Sequence, residues 1–346
     1  MNKPAVLGPA LHSRFPERPE FGSTVEVAPG ILWLRLALPF RLDHVNVYLL
    51  EDGPGWTVLD TGIGNDETKT VWQQVQAGAL GCRPITRVIA SHFHSDHAGM
   101  AGWLCDTTGA SLLMSQTEYL ASLILQLNPD RLESEPYRSF YLDQGLAPDV
   151  TAQLLGVGHR YLRMLTGLPR TFRRLIAGEE LEIGGRRWQV LTGGGHSPEQ
   201  VMLHCPEDKL LLAADQIMAR ISPNISVQAM DPAGDPLGIY IRSLGALKEV
   251  VAEDALVLPG HNLPFCGLHS RADELLRHHE MRCAAILHAC RTEGHSAAKL
   301  VPVVFGRSID DPHQMGFAFS ETLAHVNRLI REGRLRLEDG LYRSLD

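Results

Sequence analysis

The chain has 346 residues, 44% hydrophobic and 21% charged, with a formal net charge of −8. This is an ordinary globular composition with ample apolar material for a core. No run of Lys or Arg gives the basic footprint of tight, sequence-independent nucleic-acid binding, and no apolar stretch reaches the length of a membrane span.

Met1 to Phe21 lack the apolar core of a signal peptide. The six cysteines form no CxxC pair, and Cys283 and Cys290, seven apart in a predicted helix, are too distant to bridge each other. A reduced, cytoplasmic chain is therefore expected. Residues 24–60 read as strands, with Ile31–Leu38 mostly apolar. His44–Leu50 and Trp56–Leu59 flank the Asp52-Gly53-Pro54-Gly55 turn. Asn65 offers a cap for a helix over Glu67–Leu80. Arg87–Ala90 is a short strand, Ala98–Thr108 a helix and Ala110–Met114 a strand, an alternation that argues an α/β architecture. From Gln116 to Gly178 the pattern predicts a helical insertion interrupted by Pro129, Pro136, Pro148 and Pro169, a candidate lid or packing element that could also join two copies of the chain. Strands return at Glu180–Ile183, Arg187–Leu191, Gln200–Cys205 and Leu210–Ala214. Pro236–Val251 reads as a helix and Ala255–Leu258 as a strand. Beyond Ser270, helices over Arg271–Arg291, Ala297–Phe305 and Phe317–Glu332 precede a hairpin about Glu338-Asp339-Gly340, the pattern of a small winged-helix domain. The organisation expected is an extension over 1–23, a main domain over 24–268 with its insertion near 116–178, and a C-terminal domain over 269–346.

The chemistry concentrates in His92-Phe93-His94-Ser95-Asp96-His97, directly after a strand. Imidazole and carboxylate are good ligands for zinc and its divalent neighbours. Residues two apart in extended chain point the same way, so His92 and His94 can share one metal, and a turn then lets Asp96 and His97 face a second. Three more positions follow predicted strands. His196 sits on the Gly193-Gly194-Gly195 turn, Asp215 ends an apolar run, and His261 follows Pro259-Gly260. A carboxylate buried at a strand end is expensive unless a cation compensates it. By contrast His278-His279 reads as surface histidine, and Met164 and Trp188 as core.

These motifs, with Val58-Leu59-Asp60-Thr61-Gly62, resemble the metallo-β-lactamase superfamily and its glyoxalase II-like branch over residues 24–265; the tail, including Gly316–Thr322, resembles the winged-helix extension of some relatives. The resemblance implies an αββα sandwich with two divalent metals at one edge, zinc first, manganese or iron also compatible. By position it implies His92, His94 and His196 on the first metal, Asp96, His97 and His261 on the second, and Asp215 bridging both. Asp60 is implied to orient a ligand histidine. Hydroxide bridging the metals is then the nucleophile, and Asp96 could help orient or deprotonate the water.

The expected function is a binuclear hydrolase of a small ester or thioester. The alternative is an endoribonuclease-like phosphodiesterase whose tail holds nucleic acid. Arg328, Arg331, Arg334, Arg336 and Arg343 speak for it, and the interspersed Asp310, Asp311, Glu332, Glu338 and Asp339 against it. β-Lactam hydrolysis is disfavoured because Asp215 stands where many lactamases carry cysteine. A flavodiiron role is disfavoured because His94 stands where a carboxylate is expected.

Overall fold

The computed structural model describes residues 11–15 and 17–346. Residues 1–10 and 16 of the expected N-terminal extension lie outside them. The part described runs along the main body: His12 bridges to Cys266 and the Ser13 hydroxyl donates to the Pro264 carbonyl.

The first sheet is built from β1 (Thr24–Ala28), β2 (Ile31–Ala37), β3 (His44–Asp52) and β4 (Gly55–Leu59), all antiparallel neighbours. Then come α1 (Asp66–Ala77), β5 (Ile85–Ile89), α2 (Ser95–Ala98), α3 (Ala101–Thr108) and β6 (Ser111–Met114), with β4, β5 and β6 parallel. The α1 start is the expected one. Asn65 accepts a hydrogen bond from the Thr68 N–H, and Asp66 and Glu67 sit where the helix dipole favours acids. The helix expected over Ala98–Thr108 is instead broken at Gly99-Met100, where the Met100 N–H bonds out of the helix to Gly62 O and Thr61 Oγ1.

The insertion forms α4 (Gln116–Leu127), a 3₁₀ turn (Pro129–Glu133), α5 (Glu135–Leu142) and α6 (Pro148–Arg163). It is not wholly helical, because β7 (Arg173–Arg174) pairs with β6 at the sheet edge. Two residues of pairing are too short to leave an alternation in the sequence.

The second sheet has the order β12-β11-β10-β9-β8, built from β8 (Glu180–Ile183), β9 (Arg186–Gly193), β10 (Gln200–Cys205), β11 (Leu210–Ala214) and, after α7 (Pro236–Val250), β12 (Leu256–Pro259). Strand period two sorts the side chains into layers. In β3, Tyr48 and Leu50 point between the sheets, where they join Trp33, Ile89, Trp188, Leu203 and Leu258. Val45, Val47 and Leu49 point outward onto Trp72, Val75 and Leu104 of α1 and α3. The outer face of the second sheet packs Met202, Leu211 and Val257 against α7. Two stacked sheets with a helix layer on each outer face make an αββα sandwich.

The chain ends with α8 (Leu268–Ala289), α9 (Ala297–Phe305), α10 (Pro312–Arg331) and a hairpin of β13 (Leu335–Glu338) and β14 (Leu341–Ser344). α10 begins five residues before the expected Phe317, because Asp311 caps the Gln314 N–H and Pro312 suits the first helical position. Phe319, Leu323, Leu300 and Leu268 share one core with Met202 and Leu211 of the second sheet. His279 is a correction: it is fully buried, with Nδ1 3.1 Å from His325 Nε2, because the face of α8 that carries it packs against α10. Among the described residues the six cysteines are free, and no helix is long and apolar enough to cross a membrane.

Candidate metal centre

The chemistry-bearing residues lie where strands end. Asp60 follows β4, the His92–His97 run follows β5, His196 follows β9, Asp215 follows β11 and His261 follows β12. Three non-glycine residues here adopt the sparsely populated left-handed region: Asp60 (φ +65°), Ala214 (φ +43°) and Asn262 (φ +67°). Such strain persists where the surroundings over-determine it. At Ala214 the pairing of β11 with β12 also slips, which turns Asp215 out of the sheet. Gly260 has no room for a side chain, since a Cβ there would lie 2.3 Å from Asp215 Oδ1 and 2.8 Å from His97 Cε1.

All seven side chains singled out in the sequence converge. His92, His94 and His196 bring one ligand atom each within 4.8 Å of one another, as do Asp96, His97 and His261. Asp215 lies between these groups. Its Oδ1 is 3.4 Å from His97 Nε2, and its Oδ2 is 3.4 Å from His196 Nε2 and 3.3 Å from His261 Nε2. His97 Nε2, His196 Nε2 and Asp215 Oδ1 are buried without a hydrogen-bond partner. Orphaned buried polar atoms are costly, and a divalent cation would satisfy all three. The donor set of nitrogen and carboxylate oxygen fits zinc, manganese or iron.

Four of the histidines are locked from behind. His92 Nδ1 contacts Ser91 Oγ (2.9 Å), His97 Nδ1 contacts Asp60 Oδ2 (2.8 Å), His196 Nδ1 contacts Asn224 O (2.8 Å) and His261 Nδ1 contacts His44 O (2.6 Å). Each ring therefore offers Nε2 inward, the arrangement by which outer partners fix a ligand's tautomer and angle. Asp60, which contacts His97 Nδ1, accepts also from the Ser91 N–H and hydroxyl.

The charges are arranged to match. Burial alone would push Asp96 and Asp215 up, but His97 and His261 outweigh it and hold both carboxyls below the usual range. Burial would lower His261, yet Asp215 and Asp96 raise it to about 10; His97 is raised by the same acids. Burial and neighbouring imidazoles hold His92 down, and His94 down to about 3. The acids thus favour protons on His97 and His261, and a divalent ion would compete for the same atoms.

Sequence reasoning missed Glu118. This fully buried carboxylate on α4 accepts from the Phe93 N–H (3.0 Å), the Ser197 hydroxyl (2.7 Å) and the Glu199 N–H (2.6 Å). It ties the insertion to both histidine loops. Ser115 caps α4 through the Glu118 N–H, a local role, while the partners of the Glu118 carboxylate stand 25 and about 80 residues away, so no local pattern reveals them. Beside His196 opens a cavity of about 550 Å³.

Residues 40–261 match the family model described as "Metallo-beta-lactamase superfamily", and residues 283–343 match "Metallo-beta-lactamase-like, C-terminal domain". The fold is similar to that of a beta-lactamase domain protein from Burkholderia ambifaria, at 38% identity and TM-score 0.89, covering 96% of this chain and 98% of that one. A metallo-beta-lactamase family protein from Thermus thermophilus is similar at 26% identity and TM-score 0.78, over 92% and 100% of the two chains. Among curated proteins, a probable metallo-hydrolase of Bacillus subtilis is 23% identical over 87% of this chain and 92% of its own length.

Proposed function

The chain belongs to the metallo-β-lactamase superfamily, and on that premise we propose that it is a binuclear metal-dependent hydrolase of a small ester or thioester, close in chemistry to the glyoxalase II-like branch. The observation that carries this reading is a complete set of seven nitrogen and oxygen donors opening onto a largely apolar cavity. His92, His94 and His196 would hold one ion, Asp96, His97 and His261 the other, with Asp215 reaching both. Such a pair supplies an electrophile for a carbonyl oxygen and hydroxide at neutral pH. The chain's own part is positioning. Asp60, Asn224 and His44 fix the histidine rings, and Glu118 fixes the two loops that carry them. Asp96 is the acid better placed to orient a water at the centre: its side chain is 21% exposed against 7% for Asp215.

A phosphodiester would call for cations along its backbone, and among the described residues none that lines the cavity is Lys or Arg. Four of the five tail arginines are paired with carboxylates. Arg328 and Arg334 meet Glu332, Arg336 and Arg343 meet Glu338, and Arg331 donates to the Ala233 carbonyl. The test is metal content together with turnover of an acyl thioester, an aryl ester, a lactone and a single-stranded RNA. About two ions per chain with acyl turnover is expected. RNA cleavage without acyl turnover would reverse the reading. Asp215→Ala should lower activity by more than about a hundredfold, since loss of an outer partner alone costs ten- to a hundredfold.

A further inference from the structure

The cavity beside His196 is bounded by the two histidine loops, the insertion through α4, α5 and α6, the segment 226–235 with the start of α7, and the C-terminal helix α10. Its wall is carried by Phe93, Leu125, Leu154, Leu155, Ile239 and Phe317. Phe93 stands between His92 and His94 in the chain, and His196 itself is part of the lining, so the cavity and the candidate metal centre are continuous. Tyr161 adds its ring rather than its hydroxyl, which is tied to the Phe93 carbonyl. α10 comes close because Gly316 faces α6, where a Cβ would meet Leu154 Cδ2 at 2.8 Å.

The ionisable groups on the wall favour a neutral guest. They are His196, His313, Asp231 and Asp235. Asp235 is engaged in capping α7 through the Gly238 N–H, and burial pushes His313 down towards the neutral form. Among the described residues none that lines the wall is Lys or Arg, and the two aspartates repel a carboxylate or phosphate arm; Arg160, beside His313, helps to hold that ring neutral. At the mouth, Met230, Ile239 and Phe317 are 47%, 44% and 46% exposed, apolar surface that a ligand would cover.

We propose that this cavity is the acyl-chain subsite, that it takes an uncharged aliphatic or aryl acyl group, and that α10 of the C-terminal segment is one of its walls. The proposal rests on the hydrolase reading above for what is done to the acyl group, but not for what the cavity binds.

The holoenzyme is assayed on p-nitrophenyl esters from acetyl to decanoyl, and its binding of the neutral fluorophore N-phenyl-1-naphthylamine is measured with 1-decanol as competitor. Ile239→Arg and Phe317→Arg are placed at half-exposed positions where the fold tolerates a charge, which melting and metal content verify. Expected are a kcat/KM that rises about threefold per methylene until the cavity fills, flattening of that rise in both variants, and fluorophore binding at least about tenfold weaker in each, since an arginine on the wall must be desolvated when an apolar guest fills it. Ester turnover with no dependence on chain length overturns the subsite and leaves the hydrolase reading intact. Fluorophore binding that decanol displaces and the variants weaken, without turnover of any ester, supports the subsite and sinks the ester reading. Fluorophore binding unchanged in both variants overturns the subsite.

Discussion

Histidine can present either ring nitrogen to a metal, and here the choice is made by the atoms behind the rings. Asp60 shows how tightly. Its two oxygens accept from the Ser91 N–H, the Ser91 hydroxyl and His97 Nδ1. Asn at this position would turn an N–H₂ towards at least one of these donors and unlock the His97 ring. Asp60→Asn should weaken metal binding about ten- to a hundredfold, read by competition with a chromophoric chelator; an unchanged affinity would remove Asp60 from the centre's support. Glu118→Gln applies the same logic to the loops. A carboxylate accepts all three of its bonds, whereas an amide must set a donor against a donor. Activity should fall about tenfold or more with the cavity unchanged, and wild-type kcat/KM would make Glu118 a packing residue only. Four of the seven candidate ligands were legible because they crowd into His92–His97, and His196, Asp215 and His261 because each stands just after a predicted strand. Their supports were not. Asn224 and His44 act through backbone carbonyls, which carry no residue signature, and His44 meets His261 across 217 positions.

Elements were legible where one periodicity dominates and blurred where tertiary bonds compete with it. β2 to β6 alternate or run apolar and sit where the pattern put them, whereas the helix after the histidine run breaks at Gly99-Met100 because the Thr61-Gly62 turn takes the Met100 N–H. α8 and α10 show a second effect, burial of titratable groups on a helix face that reads as polar. His279 and His325 are both fully buried and share a proton chain. His325 Nδ1 donates to the Glu321 carbonyl, and its Nε2 accepts from His279 Nδ1. Burial is the first cause that pushes His279 down to about 2 and His325 to about 3, with His278 and Arg282 adding repulsion. The ring of Tyr240 and the buried, Arg282-paired Glu321 complete their surroundings. Groups whose folded pKa is depressed favour the native state above their unfolded value of about 6.5, and that stability drains away as pH falls below it. Each histidine should contribute a loss of about 1.4 kcal/mol per pH unit between roughly pH 6 and 4. Urea unfolding of the wild type and of His279→Gln/His325→Gln across this range gives the comparison. A pH slope as steep in the double variant as in the wild type would refute the assignment.

At the scale of the whole molecule, the C-terminal helices are joined to the candidate metal centre by more than a shared core. Arg282 on α8 pairs with Glu321 on α10, and Glu321 accepts from Asn224 Nδ2 at 3.1 Å. Asn224 also donates to the Phe317 carbonyl, and its own carbonyl accepts from His196 Nδ1. The sequence placed a three-helix tail here but could not show this chain of contacts, since Asn224 and Glu321 are 97 residues apart. Two variants separate stability from positioning. Glu321→Ala leaves the partly buried Arg282 over the Phe305 ring without its carboxylate, a loss of about 1–3 kcal/mol, below that of a fully buried pair, so the melting temperature should fall by a few degrees. Asn224→Ala keeps the carbonyl that His196 needs and removes only the side-chain anchors of its loop. It should melt close to wild type while binding metal several-fold more weakly, because the loop can then drift from the position that holds the His196 ring. Metal affinity equal to wild type in Asn224→Ala would mean that α10 stabilises the body without steering the centre. Weakened affinity at unchanged stability would make the tail part of the apparatus that aims His196.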